Sequence, residues 1–499
     1  MKRKRLLQLV LPISLIVVMA VALPLFSGCF GRPAAAPPEE VAPAAAPPEE
    51  VVPAAPAEAL PVGLSADEIN ILGHLPDQQI GVEYPIGETI NIGFLAALSG
   101  PDAGWGLPGI TGNTIFIDAL NKTGGLLVGG TRYPFKQYEF DDEAIGSKAL
   151  QGARQLVLEN DVMFISAIGG APADATHPYL TDAKVVYSTL ISTDITPARK
   201  YLLGGGDVTP RIDMLRPLMV KTVLPRPEEL GRKLKWAVTS QDDPIGRQTQ
   251  AWEVGCAVAE GWEIVYDKHF AIETTDFAPI ATAMIATNPD AISLNLTWPD
   301  FQTLLWEQFY LQGYEGLISQ NYITWEPNLT KVPPEWAAAR WGMDSFPLMD
   351  DEWWGEPSWQ HSFSRLWTDR YGPGGPEDVK RVMTGIDWDH VVNLEPWAAW
   401  AQHWGIDHPG EGFPNNDQIL ATARALDWFP TCLGPAYMYG KDMWGLDNMI
   451  SLPVPINKFS VAANDKRIWT SVRFEDWYEN IEHIVIPVVE EHGQMYYQR

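Results

Sequence analysis

Ile92-Gly-Phe-Leu-Ala-Ala-Leu-Ser-Gly-Pro-Asp-Ala-Gly-Trp-Gly106 is the stretch on which the fold turns. With Thr89-Ile-Asn91 before it, the apolar run has the length of a buried strand, and Leu98-Ser99-Gly100-Pro101 ends it in a turn. Helical apolar spacing follows from Ile110 to Lys122 and stops at Gly124-Gly125. The same alternation continues downstream. Tyr138 to Asp141 reads as a strand, Ser147 to Glu159 as a helix, Val162 to Ile168 as a strand ending in Gly169-Gly170, and Val185 to Ser188 as another strand. A second series begins after Gly204-Gly-Gly206. Its strands are Lys235–Thr239, Glu263–Tyr266, Ala291–Asn295 and Gly316–Ser319, separated by helices at Arg247–Glu260, Ile280–Ala286 and Phe301–Gln312. Strand and helix alternating at this spacing predict parallel sheets covered on both faces. Two such series predict an α/β chain of two doubly wound parallel-sheet lobes. Ligands of such sheets sit beyond the carboxyl ends of the strands, so facing lobes define a central cleft with a hinge.

The opening stretch, together with Asn121-Lys-Thr-Gly-Gly125, Asp141-Asp142, Gly169-Gly170, Asp242-Asp243-Pro-Ile-Gly246 and the late Leu433-Gly-Pro435, resembles the leucine/isoleucine/valine-type (type 1) periplasmic solute-binding proteins of ABC transporters. The motifs fall in that family's order over about residues 88–330, and more loosely over 345–499. The resemblance implies three crossings between lobes, near Gly206, Trp341–Met343 and Cys432–Tyr439. Lobe one is then 88–206 plus 344–432, and lobe two 207–343 plus 440–499. It further implies a monomer that captures a small solute by hinge closure, delivers it to an ABC transporter permease, uses no cofactor and is not an enzyme.

Each binding turn of the family can be matched by position. Ser99 and Trp105 follow the first strand; Ser99 read without the resemblance is a plain turn or helix cap. Gly169, Gly170 and Ala171 fall where amino-acid-binding members carry serines that hold the ligand carboxylate. Glycines there still offer backbone N–H groups at the start of the helix beginning near Pro172. Ser192 and Thr193 match the next such turn, and Thr297 and Trp298 match an aromatic contact from lobe two. Asp243 and Ile245 belong to another turn of lobe two. The family pairs the ligand ammonium with an acid after the strand ending here in Ser319-Gln-Asn321-Tyr322, where no acid stands; Asn321 and Tyr322 occupy the position. Asp300, directly after Pro299, reads as a cap of the helix from Phe301. The ligand expectation is therefore an amino acid, an amide, or a short or aromatic carboxylate.

Composition narrows the alternatives. The chain has 499 residues, long enough for about two or three domains. Its 63 acids against 35 basic residues give a net charge of −28 and leave no basic face to neutralise phosphates, which excludes a nucleic-acid binder. Three cysteines without a CxxC or Cys/His spacing support neither a disulfide framework nor a zinc site; whether Cys256 and Cys432 pair stays open.

No P-loop, GxSxG or HExxH occurs. One GxGxxG lies at Gly104–Gly109, several residues past its strand, and Trp105 and Pro108 suit a cleft loop better than a phosphate turn. His390, His403 and His408 with Asp387, Asp389 and Asp407 have no recognised metal spacing and read as surface groups and local hydrogen-bond partners. Fifteen of the 21 tryptophans lie between Trp298 and Trp444. Trp397, Trp400 and Trp404 share a helix face and read as core, whereas Trp353-Trp354 reads as a loop able to rim the cleft. Two other functions fit the same residues: a ligand sensor for a signalling partner, and a secreted carbohydrate-active enzyme whose tryptophans stack on sugars.

The N-terminus reads as an address. Lys2-Arg-Lys-Arg5 is followed by an almost unbroken apolar stretch from Leu6 to Phe26 and by Ser27-Gly28-Cys29. This resembles a bacterial lipoprotein signal of residues 1–28 in which Cys29 is lipidated. An uncleaved membrane anchor is the other reading, and both tether an extracytoplasmic body to the membrane. Residues 29–61 form a linker, with Ala34-Ala-Ala-Pro-Pro-Glu-Glu-Val41 repeated at Ala44 to Val51. Proline and like-charged glutamates keep such a segment extended.

Overall fold

The computed structural model describes residues 63–499 except 101, 168, 191–198, 205–215, 219, 222, 321–328, 341–343, 346–354, 382, 439–449, 452–454, 462–466, 474–484, 490–494 and 499. The signal and linker, Cys29, Ser192, Thr193, Asn321, Tyr322, Trp353, Trp354 and the crossings at Gly206 and Trp341–Met343 lie outside the described residues.

Strands β1 (Ile90–Ala96), β4 (Phe135–Asp141), β5 (Val162–Ala167), β6 (Val186–Thr189) and β7 (Leu202–Gly204) form a parallel sheet in the order β4-β1-β5-β6-β7; β2 (Leu126–Val128) and β3 (Thr131–Tyr133) make a separate hairpin. Adjacent residues of these apolar strands serve opposite faces. Phe164 and Val186 join one cluster with Ile92, Phe116 and Trp397, while Ile165 and Tyr187 join another with Leu95, Ala153 and Leu156. Helix α2 (Ala103–Lys122) contributes Phe116 to the first cluster, and α3 (Gly146–Leu158) contributes Ala153 and Leu156 to the second, packing beside α4 (Ala171–Asp182). The second parallel sheet has the order β11-β10-β8-β9, from β8 (Lys235–Gln241), β9 (Glu263–Phe270), β10 (Ala291–Ser293) and β11 (Leu317–Ser319). Helices α5 (Pro244–Ala259), α6 (Ala278–Ile285) and α7 (Pro299–Leu311) alternate with its strands.

Helix α2 starts at Ala103, seven residues before the apolar spacing suggests, so the GxGxxG lies inside a helix and is not a loop. Glycine costs about 1 kcal/mol relative to alanine in a helix interior, and here close packing overrides that propensity. A Cβ at Gly106 would stand 2.0 Å from Ala97 O, at Gly109 2.1 Å from His390 Cδ2, and at Gly112 1.4 Å from Asp387 O.

The His/Asp concentration is also placed differently from expectation. Asp387, Asp389 and His390 are buried at α8 (Ile386–Asp389) and its junction with α9 (Val391–Asp407). Asp387 accepts from Thr111 Oγ1 (2.6 Å), Trp367 Nε1 (2.7 Å), Arg381 Nη2 (2.6 Å) and Thr384 N–H (2.7 Å). A carboxylate with this many donors is stable in the core, which the local polarity of the sequence did not suggest. Trp397, Trp400 and Trp404 are buried on α9, with Trp397 5.3 Å from Phe164 between ring centroids. Cys256 and Cys432 are both buried, and no disulfide joins them.

Two features fall outside the sequence expectation. A short helix, α1 (Ala66–Ile71), with a capping box between Ser65 and Glu68, begins an N-terminal arm packed on the helix Trp359–Tyr371. The C-terminal part adds small antiparallel sheets, including Phe429–Thr431 with Gly434–Met438, and Pro455–Val461 with Arg467–Arg473.

Candidate functional site

The carboxyl ends of both parallel sheets converge on one cavity of about 220 Å³. A cavity of about 150 Å³ already holds benzene, so the space suits a small organic molecule. From the first lobe come Asp102 and Trp105 after β1, Asp142 and Ala144 after β4, and Gly169 to Pro172 after β5. From the second come Gln241 to Ile245 at β8, Ile272 after β9, and Leu296 and Trp298 after β10. The lobes touch across it: a Cβ on Gly170, at φ +68°, would lie 2.5 Å from Ile245 Cδ1. Glycine at this position allows both the left-handed backbone and the approach of the opposite wall.

Seven of the residues singled out from the sequence line the cavity together: Trp105, Gly169, Gly170, Ala171, Asp243, Ile245 and Trp298. Two stand elsewhere. Ser99 is exposed and donates through Oγ to Asp141 Oδ2 (2.6 Å), fastening the ends of β1 and β4. Thr297 is fully buried, its hydroxyl 3.4 Å from Thr239 O. Asp300 lies in the first turn of α7, which starts at Pro299 with Trp298 at the cap position, so it is not the cap itself. Trp298 stacks on Phe301 with ring centroids 5.3 Å apart.

Sequence reasoning missed Asp102, Asp142 and Gln241 as cavity residues. Asp102 occupies the cap position of α2 without capping it, and its buried Oδ1 has no hydrogen-bond partner. Burial and then the charges of Asp243 and Asp142 push its carboxyl up to about 7. Burial likewise pushes Asp142 up to about 6; the Ala144 N–H opposes the shift and the Asp141 charge adds to it. Asp243 caps α5 by accepting from Gly246 N–H (2.6 Å). Its carboxyl is nonetheless raised, because burial outweighs that bond and the one from Gln241. Gln241 spends its amide nitrogen on Leu296 O (3.1 Å) and Asp243 Oδ2 (3.3 Å), leaving Oε1 buried and unpartnered.

These shifts set a pH dependence. A carboxyl raised from 3.8 to about 7 holds its proton in the folded protein where the unfolded chain has lost it. Its contribution therefore favours the fold below about pH 4 and is lost as pH rises towards 7. At one pKa unit per about 1.4 kcal/mol, the loss is at most roughly 4–5 kcal/mol. Asp102→Asn should melt several degrees above the parent at pH 8 and show little gain at pH 4, measured by scanning calorimetry. Equal gains at both values would refute the repulsion.

Among the described residues, no group of His, Cys, Asp and Glu is arranged to hold a metal ion, and no helix is long and apolar enough to cross a membrane.

Two parallel-sheet lobes that enclose a small cavity at their facing strand ends define a hinged binding protein. Residues 89–449 match the family described as periplasmic binding protein. That span exceeds half the chain, and the chain belongs to this family, whose members bind solutes outside the cytoplasm and are not enzymes. Among solved structures it is similar to an ABC transporter substrate-binding protein from Sphaerobacter thermophilus (18% identity, TM-score 0.57, covering 78% of this chain and 99% of that one). It is also similar to a leucine-binding protein from Thermotoga maritima (14%, 0.57, 78% and 100%). A third is a Rhodopseudomonas palustris solute-binding protein in complex with 4-hydroxybenzoate (17%, 0.55, 79% and 100%). At these identities the likeness is one of fold. Among curated proteins, none matches the chain.

Proposed function

We propose that this chain is an extracytoplasmic solute-binding lipoprotein that closes on a small organic ligand and delivers it to the permease of an ABC importer. The amino acids, amides and short or aromatic carboxylates expected from the sequence define the first ligands to test. The observation that carries the reading is the cavity itself, built from strand ends of both lobes and shut where Gly170 meets Ile245. A ligand touching both walls favours the closed form in proportion to the contacts it makes only there. In this reading the chain crosses between lobes near 206, 341–343 and 432–439, acts as a monomer, and is anchored by a lipid on Cys29 after removal of residues 1–28. Losing the four basic residues of that signal takes the net charge from −28 to −32.

The test is tryptophan fluorescence and thermal shift on the full-length chain in detergent micelles, against a panel of amino acids, amides, organic acids, amines and sugars. Saturable binding that raises the melting temperature and leaves the ligand chemically unchanged is expected. Trp298→Ala should weaken that binding about tenfold, the loss of one stacked aromatic wall. A ligand consumed during the assay, or no binding across the panel, would overturn capture.

A further inference from the structure

Resting on the reading that the cleft captures a solute, we propose that it selects a positively charged one: a small organic amine whose apolar body lies between Trp105 and Trp298. The chemistry of the lining is one-sided. Asp102, Asp142, Asp242 and Asp243 bring four carboxyl groups to a space whose lining contains no Lys, Arg or His, although Asp242 is paired outside it with Arg247 Nη1 (2.7 Å). Asp142 is only 1% exposed. Independently of the acids, Gln241, also 1% exposed, presents an acceptor with no donor, because its amide nitrogen is held by Leu296 O and Asp243. The buried Asp102 Oδ1 is in the same condition. Buried acceptors without donors are costly, and like charges in a partly desolvated space cost more.

An ammonium carries up to three donors and one positive charge, and so answers both deficits at once. A carboxylate answers neither. The start of α4 and the acids line the same cavity, so an anion held there would share it with Asp142 and Asp102. The remaining walls, Trp105, Ile245, Ile272, Leu296 and Trp298, are apolar and suit a hydrocarbon or aromatic body, with the indole faces also able to bind the cation. The first lobe contributes two of the acids and the second lobe the other two with Gln241, so an ammonium between them bridges the lobes and stabilises closure.

The experiment pairs probes that share one body and differ in charge: phenethylamine, 3-phenylpropionate and neutral 3-phenylpropionamide, with butylamine and pentanoate as the aliphatic pair. Each is titrated calorimetrically into the full-length chain in micelles at pH 8. The amines should bind at least tenfold more tightly than the matched acids. Asp102→Asn and Asp142→Asn should each weaken amine binding at least tenfold while melting no lower than the parent, which separates a lost contact from a lost fold. Acids binding as tightly as amines, or amines indifferent to both variants, would overturn the proposal and leave solute capture intact. Binding of the neutral amide alone would do the same. Failure of these probes together with the whole wider panel would remove both readings.

Discussion

Replacing Glu253 with alanine should cost about 3–5 kcal/mol, the loss expected when one partner of a buried ion pair is removed. Glu253 is fully buried on α5 and is the centre of a polar knot. Its carboxylate accepts from Arg216 Nη1 (2.7 Å), Trp236 Nε1 (2.9 Å) and Asn295 Nδ2 (2.6 Å), and Arg216 also reaches Ser293 Oγ (3.1 Å). Alanine would take the Glu253 carboxylate away from the guanidinium of Arg216, 1% exposed. A urea titration followed by near-ultraviolet circular dichroism would measure the loss. The paired change Arg216→Met with Glu253→Leu should recover much of it, since well-packed apolar pairs often replace buried ion pairs at little cost. The knot also bears on binding. It ties α5, whose cap is Asp243 and whose first turn carries Ile245, to β8 and to the turn leading to Leu296 and Trp298. Glu253→Ala should therefore loosen the second wall of the cavity as well as the lobe. A loss below about 1 kcal/mol would show the knot to be neutral, as many exposed ion pairs are.

Gly112→Ala should be as damaging. One added methyl would lie 1.4 Å from the backbone oxygen of Asp387, and a backbone atom cannot turn aside as a side chain can. Overpacking typically costs about 1–3 kcal/mol and more where backbone must move, so a loss above about 3 kcal/mol is expected. The displaced contact includes the bond from Thr111 to Asp387, the junction of α2 with the helices after Trp359. Loss of soluble protein on expression, or a melting temperature lowered by ten degrees or more (about 2–4 °C per kcal/mol), would bear this out; an unchanged melting temperature would not.

The parallel sheets were legible because their strands are written as short, dense apolar runs. Ile92 to Leu95 and Phe164 to Ala167 can hardly be anything but buried. The turns that line the cavity were legible for a related reason: a parallel sheet opens its cleft at the strand ends, and the family resemblance then marked Trp105, Gly170, Ile245 and Trp298 within them. What stayed hidden depends on contacts far away in the chain. The start of α2 is rich in glycine and carries Pro108, which argues against helix; its glycines make sense only once His390 and Asp387 are seen packed on them. The same distance hid the burial of Asp387, whose donors Thr111, Trp367 and Arg381 come from separate segments. Asp142 was quoted within a motif yet not read as a wall of the cavity, because neighbouring Asp141 and Asp142 look alike in sequence. In the structure Asp141 holds Ser99 and the backbone of Leu98, while Asp142 lines the cleft.

The N-terminal arm decides how force would enter the molecule. Trp359 Nε1 donates to Ile71 O, Asn70 to Ser362, and Arg365 pairs with Asp67, so the arm is riveted to the helix Trp359–Tyr371. Arg132 then clamps the carbonyls of Gln78, Gln79 and Val82 just before β1. A pull on residue 63 is borne by these rivets, all of which belong to the body built around the five-stranded sheet. None of these bonds reaches the four-stranded sheet, so a pull on residue 63 would enter through its neighbour.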